Sequence, residues 1–431
     1  MAGRWQTLRF DEAAQISPSV RLERGKSYPF VDMQAVQPSS RDVGPSKQRA
    51  FSGGGSRFRV GDTLMARITP CLENGKIARF CGPDGQSVGH GSTEFIVIRG
   101  KDGVTDDSFV YYLTRSEIVH GYAISQMTGS SGRQRVPIEA LGRLQVAIPP
   151  LDEQRAISKI LGALDDKIEL NRRTNETLEA IARAIFKSWF VDFDPVRAKA
   201  EGRTSGLPKE IASLFPNSFE DSELGEIPAG WEIGTLADFS TLNPEVWSKG
   251  NRPDSINYVD LSNTKWGRID SVTVYPLHDA PSRAQRVLSA GDTIVGTVRP
   301  GNGSYALVTE GGLTGSTGFA VLRPRIRQCQ EFVYLAATTA ENIETLAHLA
   351  DGAAYPAVRP EVVIATRVVR PDERVSAHFS AIADSLLAKM AQNERESRTL
   401  AATRDALLPK LLSGEIRVPE NIQFGPLQND R

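Results

Sequence analysis

Two stretches of the chain carry apolar residues at alternating spacings of four and three positions, which is the a/d pattern of a coiled coil. The positions of the first seam are Ile157, Leu161, Leu164, Ile168, Asn171, Asn175, Leu178, Ala182, Ile185 and Trp189. The positions of the second seam are Phe379, Ala383, Leu386, Met390, Asn393, Ser397, Leu400, Arg404, Leu407 and Leu411. Charged residues flank both narrow seams, which favours two paired helices over the alternative, amphipathic helices that each pack on their own domain.

The chain outside these stretches contains short strands and turns that occur twice, with a period near 222 residues. VGDTLMARITP (60–70) recurs as AGDTIVGTVRP (290–300), and GHGSTEFIVIRG (89–100) recurs as LTGSTGFAVLRP (313–324). FVYYL (109–113) recurs as FVYLA (332–336). In each copy a Gly-Asp turn precedes one strand, a Gly/Ser turn precedes the next, and an aromatic segment starts a helix. The repeat predicts two similar globular domains, each followed by one long helix.

We therefore predict an α+β fold in which two pseudo-symmetric globular domains are separated by two long antiparallel helices that form a coiled coil. The predicted boundaries are domain 1 at 1–150, a central helix at 151–194, a linker at 195–230, domain 2 at 231–370, a C-terminal helix at 371–418 and a tail at 419–431. The linker is rich in Pro, Gly, Ser and charge. At 1.5 Å per residue, each helix would span roughly 55–60 Å. The polar seam residues Asn171, Asn175 and Asn393 are predicted to fix the register of the coil.

Composition places few limits on the function. Hydrophobic residues make up 40% and charged residues 24% of the 431-residue chain, as in soluble globular proteins. No apolar run approaches the length of a membrane span, and the chain does not open with the apolar core of a signal peptide. The three cysteines lack the spacing of a metal site. We therefore expect a cytoplasmic protein. Residues 1–150 hold 19 Lys and Arg against 14 Asp and Glu, whereas residues 202–370 hold 15 against 19. This distribution is only a weak signal for a polyanionic partner.

Motifs for catalysis and metal binding are missing from the sequence. It contains no GxxxxGK[ST] loop, no HExxH and no Cys/His pairing for zinc. Asp165 and Asp166 are adjacent carboxylates, which we interpret as solvated charge on an exposed helix rather than as metal ligands. We therefore expect no catalytic residue and no metal site, and a scaffold that contacts its target at two points.

Three blocks resemble the specificity subunits of type I restriction–modification systems. They are AIPPLDEQRAISKILGALDDKIELNRRTNETLEAIARAIFKSWFVDFDPVRAKAEG (147–202), ELGEIPAGW (223–231) and LLPKLLSGEIRV (407–418). The resemblance covers the full length and implies two target-recognition domains, each reading half of a split DNA site. It also implies two modification subunits that methylate adenine with S-adenosylmethionine and two ATP-dependent restriction subunits, so that S-adenosylmethionine, ATP and Mg belong to partners and this chain holds no cofactor. RPDERV (370–375) stands where the first copy has PPLDEQ, and nothing there matches KSWFVDFD, so contacts with the two modification subunits are expected to be unequal.

Reading bases needs paired donors and acceptors on projecting loops, such as Arg for guanine and Asn or Gln for adenine. Loops 66–78, 128–137, 296–307 and 351–360 carry such side chains, although some would bind phosphate and only position the domain. The candidate DNA-binding residues are Arg67, Thr69, Asn74, Lys76, Ser130, Arg133, Gln134, Arg135, Arg299, Asn302, Ser304, Tyr305, Tyr355 and Arg359, and Ser131 lies in the same loop as Ser130. For each residue the alternative is ordinary loop solvation. Segment 48–62, with Arg49, Arg57 and Arg59, is either a further DNA contact or a flexible hairpin.

Trp189 and Phe190 are candidates for exposed contacts with another subunit, and the alternative is packing against the linker that follows. Two other functions stay open from the residues alone. One is a stand-alone DNA methyltransferase or nuclease with two recognition halves, against which the missing motifs count. The other is a structural adaptor without a DNA role.

Overall fold

The computed structural model describes residues 5–83, 85–130, 132–248 and 250–418. It divides into two compact units: unit 1 comprises residues 1–171 and 395–431, and unit 2 comprises residues 172–394. The predicted boundaries fell at the ends of the long helices, whereas this division passes through both helices, so that each unit contains part of each. The predicted tail at 419–431 lies outside the described residues.

Before the first long helix, the described residues of unit 1 form eleven strands and four short helices. The strands are β1 (Gln6–Arg9), β2 (Ala14–Ile16), β3 (Ser27–Val31), β4 (Asp42–Val43), β5 (Lys47–Ala50), β6 (Ser56–Arg59), β7 (Thr63–Ala66), β8 (Ile77–Phe80), β9 (Val88–Gly91), β10 (Phe95–Gly100) and β11 (Gln145–Ile148). The helices are α1 (Phe10–Ala13), α2 (Asp107–Arg115), α3 (His120–Ser125) and α4 (Ile138–Gly142). The first long helix, α5, follows as Leu151–Phe190.

Unit 2 contains the end of α5, a set of short elements, and the start of the second long helix. The short helices are α6 (Asp194–Ala200), α7 (Lys209–Ala212), α8 (Leu236–Phe239), α9 (Gln330–Ala337), α10 (Ala340–His348) and α11 (Pro360–Ile364). The strands are β12 (Phe219–Ser222), β13 (Gly225–Pro228), β14 (Glu232–Thr235), β15 (Ser240–Leu242), β16 (Ser255–Val259), β17 (Thr264–Lys265), β18 (Arg268–Ile269), β19 (Thr273–Pro276), β20 (Ala284–Leu288), β21 (Thr293–Gly296), β22 (Tyr305–Leu307), β23 (Leu313–Ser316), β24 (Phe319–Pro324) and β25 (Arg367–Arg370). The second long helix, α12, is Glu373–Ser413.

The two units share one sheet topology. In unit 1 the sheets have the orders β2-β10-β7-β8-β4 and β5-β3-β9-β6, and in unit 2 they have the orders β15-β24-β21-β22 and β19-β16-β23-β20. The only parallel pairing in the second sheet of each unit, among the described residues, joins β3 to β9 and β16 to β23. In each unit the first strand of the repeat pairs with the last: β1 with β11 in unit 1, and β14 with β25 in unit 2. The predicted internal repeat is therefore a repeat of topology.

The Gly-Asp turn is built in the same way in both units. Gly61 and Gly291 have φ of +92° and +94°, a conformation that favours glycine. The carboxylate that follows is fully buried, and in unit 1 both oxygens of Asp62 accept hydrogen bonds from Arg99 at 2.6 and 2.8 Å. Asp292 pairs with Arg323 in the same manner at 2.8 and 2.9 Å. A buried carboxylate is stable in this position because it is paired and hydrogen-bonded.

Helices α5 and α12 pair within each unit. In unit 1 the Arg404 Nη1 atom donates to Asp165 Oδ1 at 2.6 Å, and in unit 2 the Asn393 Nδ2 atom donates to Asn175 Oδ1 at 2.8 Å. Residue numbers fall along α12 as they rise along α5, so the helices are antiparallel. Every predicted seam position is buried or half-buried. The predicted α+β fold with an antiparallel helix pair is confirmed.

Asp165 differs from the expectation of a solvated charge. Its side chain is 4% exposed and also accepts a hydrogen bond from the Tyr112 hydroxyl at 2.6 Å. That interpretation is wrong because Arg404 and Tyr112 neutralise and satisfy the carboxylate inside unit 1. Asp166 keeps a side chain that is 58% exposed and pairs with Arg41 at 2.7 Å.

The segment predicted as a linker, 195–230, is folded and packs into unit 2. It forms most of α6, together with α7 and the hairpin of β12 and β13. Val196, Phe215 and Ile227 are buried in the main apolar core of the unit. Its Pro, Gly and charged residues indicated turns correctly, but the apolar residues between them supply enough buried surface to fix the segment on the unit.

Candidate nucleic-acid interface

Two loops meet in unit 1 at a site that we call junction 1, which comprises residues 67–76, 128–130 and 132–136. Thr69 N donates to Gln134 O at 3.0 Å, and Val136 N donates to Arg67 O at 3.0 Å. The Thr69 hydroxyl oxygen also accepts from Gln134 N at 2.9 Å. The two loops that the sequence singled out separately are therefore joined by backbone pairing into one surface.

Unit 2 builds a matching site, junction 2, from residues 297–303 and 351–359. Arg299 N donates to Pro356 O at 2.7 Å, and Val358 N donates to Thr297 O at 2.9 Å. Isolated bridges join Ile68 to Arg135 in junction 1 and Val298 to Ala357 in junction 2. The repeat thus extends from the sheets to the two predicted pairs of DNA-contacting loops.

In junction 1 the exposed candidates are Asn74, Ser130 and Arg133, and Gln134 is half-buried. Ser131 lies outside the described residues. An arginine and an asparagine on one projecting surface suit guanine and adenine contacts respectively.

Three of the other candidates of junction 1, Lys76, Thr69 and Arg135, have side-chain partners in the fold. Lys76 Nζ donates to Met33 O at 2.8 Å, and the Thr69 hydroxyl holds Gln134. Arg135 forms a bidentate ion pair with Glu94: its Nη2 atom lies 2.7 Å from Oε1 and its Nε atom lies 2.9 Å from Oε2. Hydrogen bonding from Arg135 lowers the pKa of Glu94, which keeps this carboxylate ionised. Arg67 is half-buried, and its Nε atom is buried without a partner in the described structure.

In junction 2 the exposed candidates are Arg299, Asn302, Tyr355 and Arg359. The Arg299 guanidinium lies over the Tyr355 ring, 4.8 Å from its centroid, and its Nη2 atom donates to Ala354 O at 2.7 Å. This stacking holds both side chains together at the surface.

Ser304 and Tyr305 lie inside unit 2, with 4% and 6% exposure. The Ser304 hydroxyl donates to Leu261 O at 3.0 Å. Burial raises the pKa of Tyr305, so its phenol stays neutral. Their burial disfavours the predicted base contacts and gives both residues a role in shaping the loop beneath junction 2.

Segment 48–62 does not form a hairpin. Its two strands, β5 and β6, lie at opposite edges of one sheet and are separated by β3 and β9. Arg49 and Arg57 lie over Phe30 and Phe51, with guanidinium-to-centroid distances of 4.7 and 4.8 Å. Arg59 pairs with Asp107 at 3.6 Å. Pairing with β3 and β9, and not with each other, determines the positions of the two strands.

The expectation that Trp189 and Phe190 are exposed contacts is wrong, and the alternative, packing against the following segment, holds. Their exposures are 3% and 4%. The Trp189 ring lies 5.1 Å from Phe215, and the Phe190 ring lies 4.9 Å from Phe379. Both aromatics belong to the core of unit 2.

One exposed residue beside junction 2 was missed by the sequence reasoning. Trp266 is 58% exposed at the tip of the hairpin formed by β17 and β18. Its backbone N donates to Gly303 O at 2.7 Å, which attaches the hairpin to the junction. The signal available in the sequence was KWGR (265–268), a Trp-Gly turn between two cations.

Within the described ranges, no group of three or more His, Cys, Asp and Glu side chains is arranged to hold a metal ion. The search for membrane spans over the same residues found no helix with the length and apolar character to cross a bilayer.

Comparison with known proteins gives the same family from independent matches. The family model described as type I restriction modification DNA specificity domain matches residues 82–180. The HindI specificity subunit of Haemophilus influenzae is 27% identical over 381 residues, which cover 75% of this chain and 81% of the relative. The MjaIX specificity subunit of Methanocaldococcus jannaschii is 24% identical over 338 residues, which cover 74% of this chain and 71% of the relative. These matches make residues 82–180 similar to the DNA specificity domain, and about three quarters of the chain similar to type I specificity subunits.

Among solved structures, this chain aligns with the type I restriction–modification S subunit from M. genitalium with a TM-score of 0.46 and 15% identity, covering 95% of this chain and 96% of the other. The matched relatives are named as specificity subunits of type I restriction enzymes. These matches confirm the predicted resemblance.

Proposed function

We propose that this chain recognises a split DNA site, with unit 1 reading one half through junction 1 and unit 2 reading the other through junction 2. The observation that supports this most directly is that one loop junction occurs twice on one topology with different exposed side chains. Junction 1 presents Asn74 and Arg133, whereas junction 2 presents Arg299, Asn302 and Tyr355. Two units with the same topology but different exposed side chains at their junctions suit a DNA target whose two halves differ in sequence.

The partners in this proposal are double-stranded DNA, two modification subunits and two restriction subunits. S-adenosylmethionine, ATP and Mg would bind to those partner subunits. This chain would recognise the DNA and provide the surface on which the subunits dock. Phosphate contacts from Lys and Arg would position each unit, and base-edge contacts would supply the discrimination.

The distance between the half-sites would be set by the helix pair. Half-sites one turn apart on a duplex are separated by about 34–36 Å. Asn171, Asn175 and Asn393 would hold the helix register and hence the number of unspecified base pairs between the half-sites. Asn171 donates to Ser397 Oγ at 3.3 Å, and the equivalent contact in the repeat is that between Asn393 and Asn175.

The central experiment is methylation mapping. The chain is expressed with its modification subunit in a host without adenine methylation, and methylated adenines are located by single-molecule sequencing. The wild-type complex is expected to methylate one bipartite motif. Arg133→Ala should relax or abolish recognition at positions in one half only, and Arg299→Ala in the other half only. A good bidentate contact supplies about 1–3 kcal/mol of discrimination, so roughly a 5- to 150-fold loss at the affected base pair is expected.

Arg203→Ala is the matched control, since its side chain is 61% exposed in unit 2 and lies outside junction 2. Both junction variants changing the same half, or neither changing the motif, would contradict the assignment of junctions to halves. Methylation or cleavage by the purified chain alone would instead support the stand-alone enzyme. Absence of any motif with an active modification subunit would support the adaptor.

A second experiment tests the spacing. Four residues are inserted after Leu178 together with four after Met390, so that both helices lengthen by about one turn. The half-sites are expected to stay unchanged while the spacer between them lengthens. A motif with its original spacer would reject the helix pair as the determinant of distance.

A further inference from the structure

The hairpin of β17 and β18 carries a bulky side chain in a strained position. Trp266 and Gly267 form its tip, with φ of +46° and +86°. Positive φ at both central residues is the conformation of the tightest two-residue hairpins, where Asn-Gly is favoured and a large aromatic residue is an outlier. Such strain persists only where surrounding contacts hold it, and it is concentrated at functional sites.

Contacts with junction 2 hold this tip. Trp266 N donates to Gly303 O at 2.7 Å, and Gly267 N donates to Tyr305 O at 2.9 Å. The indole ring rests on Gly303, where a Cβ atom would lie 2.6 Å from the ring. Tyr305 meets the indole edge-to-face at 5.9 Å. One face of the indole is thus supported by the junction, while the residue remains 58% exposed.

Two cations flank the exposed indole. Lys265 Nζ lies 3.4 Å from Asn302 O, which places its charge beside an exposed candidate of junction 2. Arg268 follows the tip, is 47% exposed along its side chain and contacts Asp270 at 3.5 Å. An aromatic platform between positive charges suits a nucleobase bordered by phosphates.

Unit 1 shows that the fold does not need this tryptophan. The corresponding sheet edge beside β8 is occupied by β4, whereas the hairpin of unit 2 lies beside β22 through a bridge between Gly267 and Ala306. Residues 32–46, which include β4, contain no Trp, Tyr or Phe. The aromatic tip is therefore an addition to unit 2 and not part of the shared scaffold.

We propose that Trp266 stacks on a base of the DNA bound by unit 2 and unstacks one base step, with Lys265 and Arg268 at the neighbouring phosphates. The inference rests on the proposed function, since it takes DNA as the ligand of junction 2. Stacking differs in chemistry from the other contacts proposed for junction 2. It depends on how easily the base step is deformed, and not on hydrogen bonds to the base edges. Discrimination at that step would then come from its ease of unstacking.

The test uses the complex of the chain with its modification subunit and duplexes that carry the mapped motif. 2-Aminopurine, whose fluorescence rises on unstacking, is placed in turn at each position of the half-site assigned to unit 2. Wild type is expected to raise the signal at one step. Trp266→Ala should abolish that rise and weaken binding on the order of tenfold, in line with the loss of one stacked base. Trp266→Phe should retain part of both effects.

Trp266→Asn separates stacking from folding. Asparagine tolerates positive φ, so this variant should melt at the same or a higher temperature than wild type while losing the 2-aminopurine signal. Val274→Ala is the matched control, because Val274 is 62% exposed on the edge strand β19 and lacks a flanking cation pair. It should leave binding and fluorescence unchanged.

Intrinsic fluorescence gives a second readout. Trp266 is the exposed tryptophan of the chain, because Trp5 and Trp247 are half-buried and Trp189 and Trp231 are buried. DNA binding should quench wild type, and the Trp266→Phe variant should lose most of this quenching.

The outcomes are distinguishable. If wild type fails to bind the motif, the proposed function fails. If wild type binds and Trp266→Ala binds equally well with an unchanged 2-aminopurine profile, the stacking inference is overturned while the proposed function stands. Weaker binding by Trp266→Asn together with a lower melting temperature would show a structural role and would also overturn it.

Discussion

The helix pair is held by different chemistry in the two units. In unit 1 the contact centres on the buried ion pair of Asp165 and Arg404, with Tyr112 donating to the same carboxylate. In unit 2 the positions one repeat away are Leu387 and Ala182, both in the apolar core. One backbone arrangement therefore accepts either a satisfied ion pair or an apolar contact at equivalent positions, provided that the site is filled and no charge is left unpaired.

At the helix ends, unit 2 has aromatic side chains where unit 1 has leucines. Unit 2 packs Phe186, Trp189 and Phe190 around Phe379. One repeat away, unit 1 has Leu408, Leu411 and Leu412, which are buried in its own core. Aromatic rings contribute large buried areas and edge-to-face contacts. The unit whose helix pair lacks an equivalent of the Asp165–Arg404 ion pair therefore has the larger side chains at its helix ends.

The largest expected effect comes from breaking the ion pair. Arg404→Ala should destabilise unit 1 by about 3–5 kcal/mol, because Asp165 would stay buried without its cation. The loss is measured by urea denaturation, and hydrogen exchange localises it to unit 1.

The double variant Asp165→Leu with Arg404→Ala reproduces the residues of unit 2 and is the matched control. It should recover most of the lost stability, since both charges are removed together. A double variant as unstable as Arg404→Ala would show that the equivalence between the two sites is incomplete.

A smaller effect is expected at the aromatic end of unit 2. Trp189→Ala should cost about 3 kcal/mol, at the lower end of the range for large aromatic truncations, as the neighbouring rings relax into part of the cavity. Trp189→Leu, which installs the residue of unit 1, should cost less than the alanine variant. Denaturation with hydrogen exchange at residues 172–190 measures both, and equal costs would mean that aromatic shape, and not filled volume, decides the packing.

The smallest effect separates the two central asparagines. Asn393→Ala removes the donor to Asn175 Oδ1 and should cost about 1–2 kcal/mol, because this half-buried oxygen loses the Asn393 hydrogen bond while Asn175 Nδ2 keeps its bond to Met390 O. Asn171→Ala should cost less, since one partner of Asn171 is the exposed carboxylate of Glu396 at 2.9 Å. Urea midpoints of the two variants compare them directly, and a larger loss for Asn171→Ala would reverse this ranking.

Periodicity predicted much of the fold. The seam positions and the repeated Gly-Asp turns follow from residue spacing, because a coiled-coil interface and a positive-φ turn each impose a local pattern. The loops around Asn74, Arg133, Arg299 and Tyr355 were found in the same way, as projecting polar segments between strands.

Long-range packing decided what periodicity could not show. Segment 195–230 has a linker composition, yet Phe215 packs against Trp189. Asp165 occupies a surface-like position in the helix pattern, yet Arg404 and Tyr112 enclose it. In both cases the partner is distant in the chain, so no local signal distinguishes the buried state from the exposed one.

For the recognition surfaces too, some features follow from the sequence alone and others only from the tertiary structure. The sequence by itself determined the repeat, the paired helices and the loops that carry polar side chains, since each depends on neighbouring residues. Only the tertiary structure decided that those loops join into one junction per unit, that Ser304 and Tyr305 lie beneath the surface, and that Trp266 stands beside junction 2. The reason is physical: burial and exposure depend on which distant segments pack together, and a residue's own neighbours in the chain do not specify them.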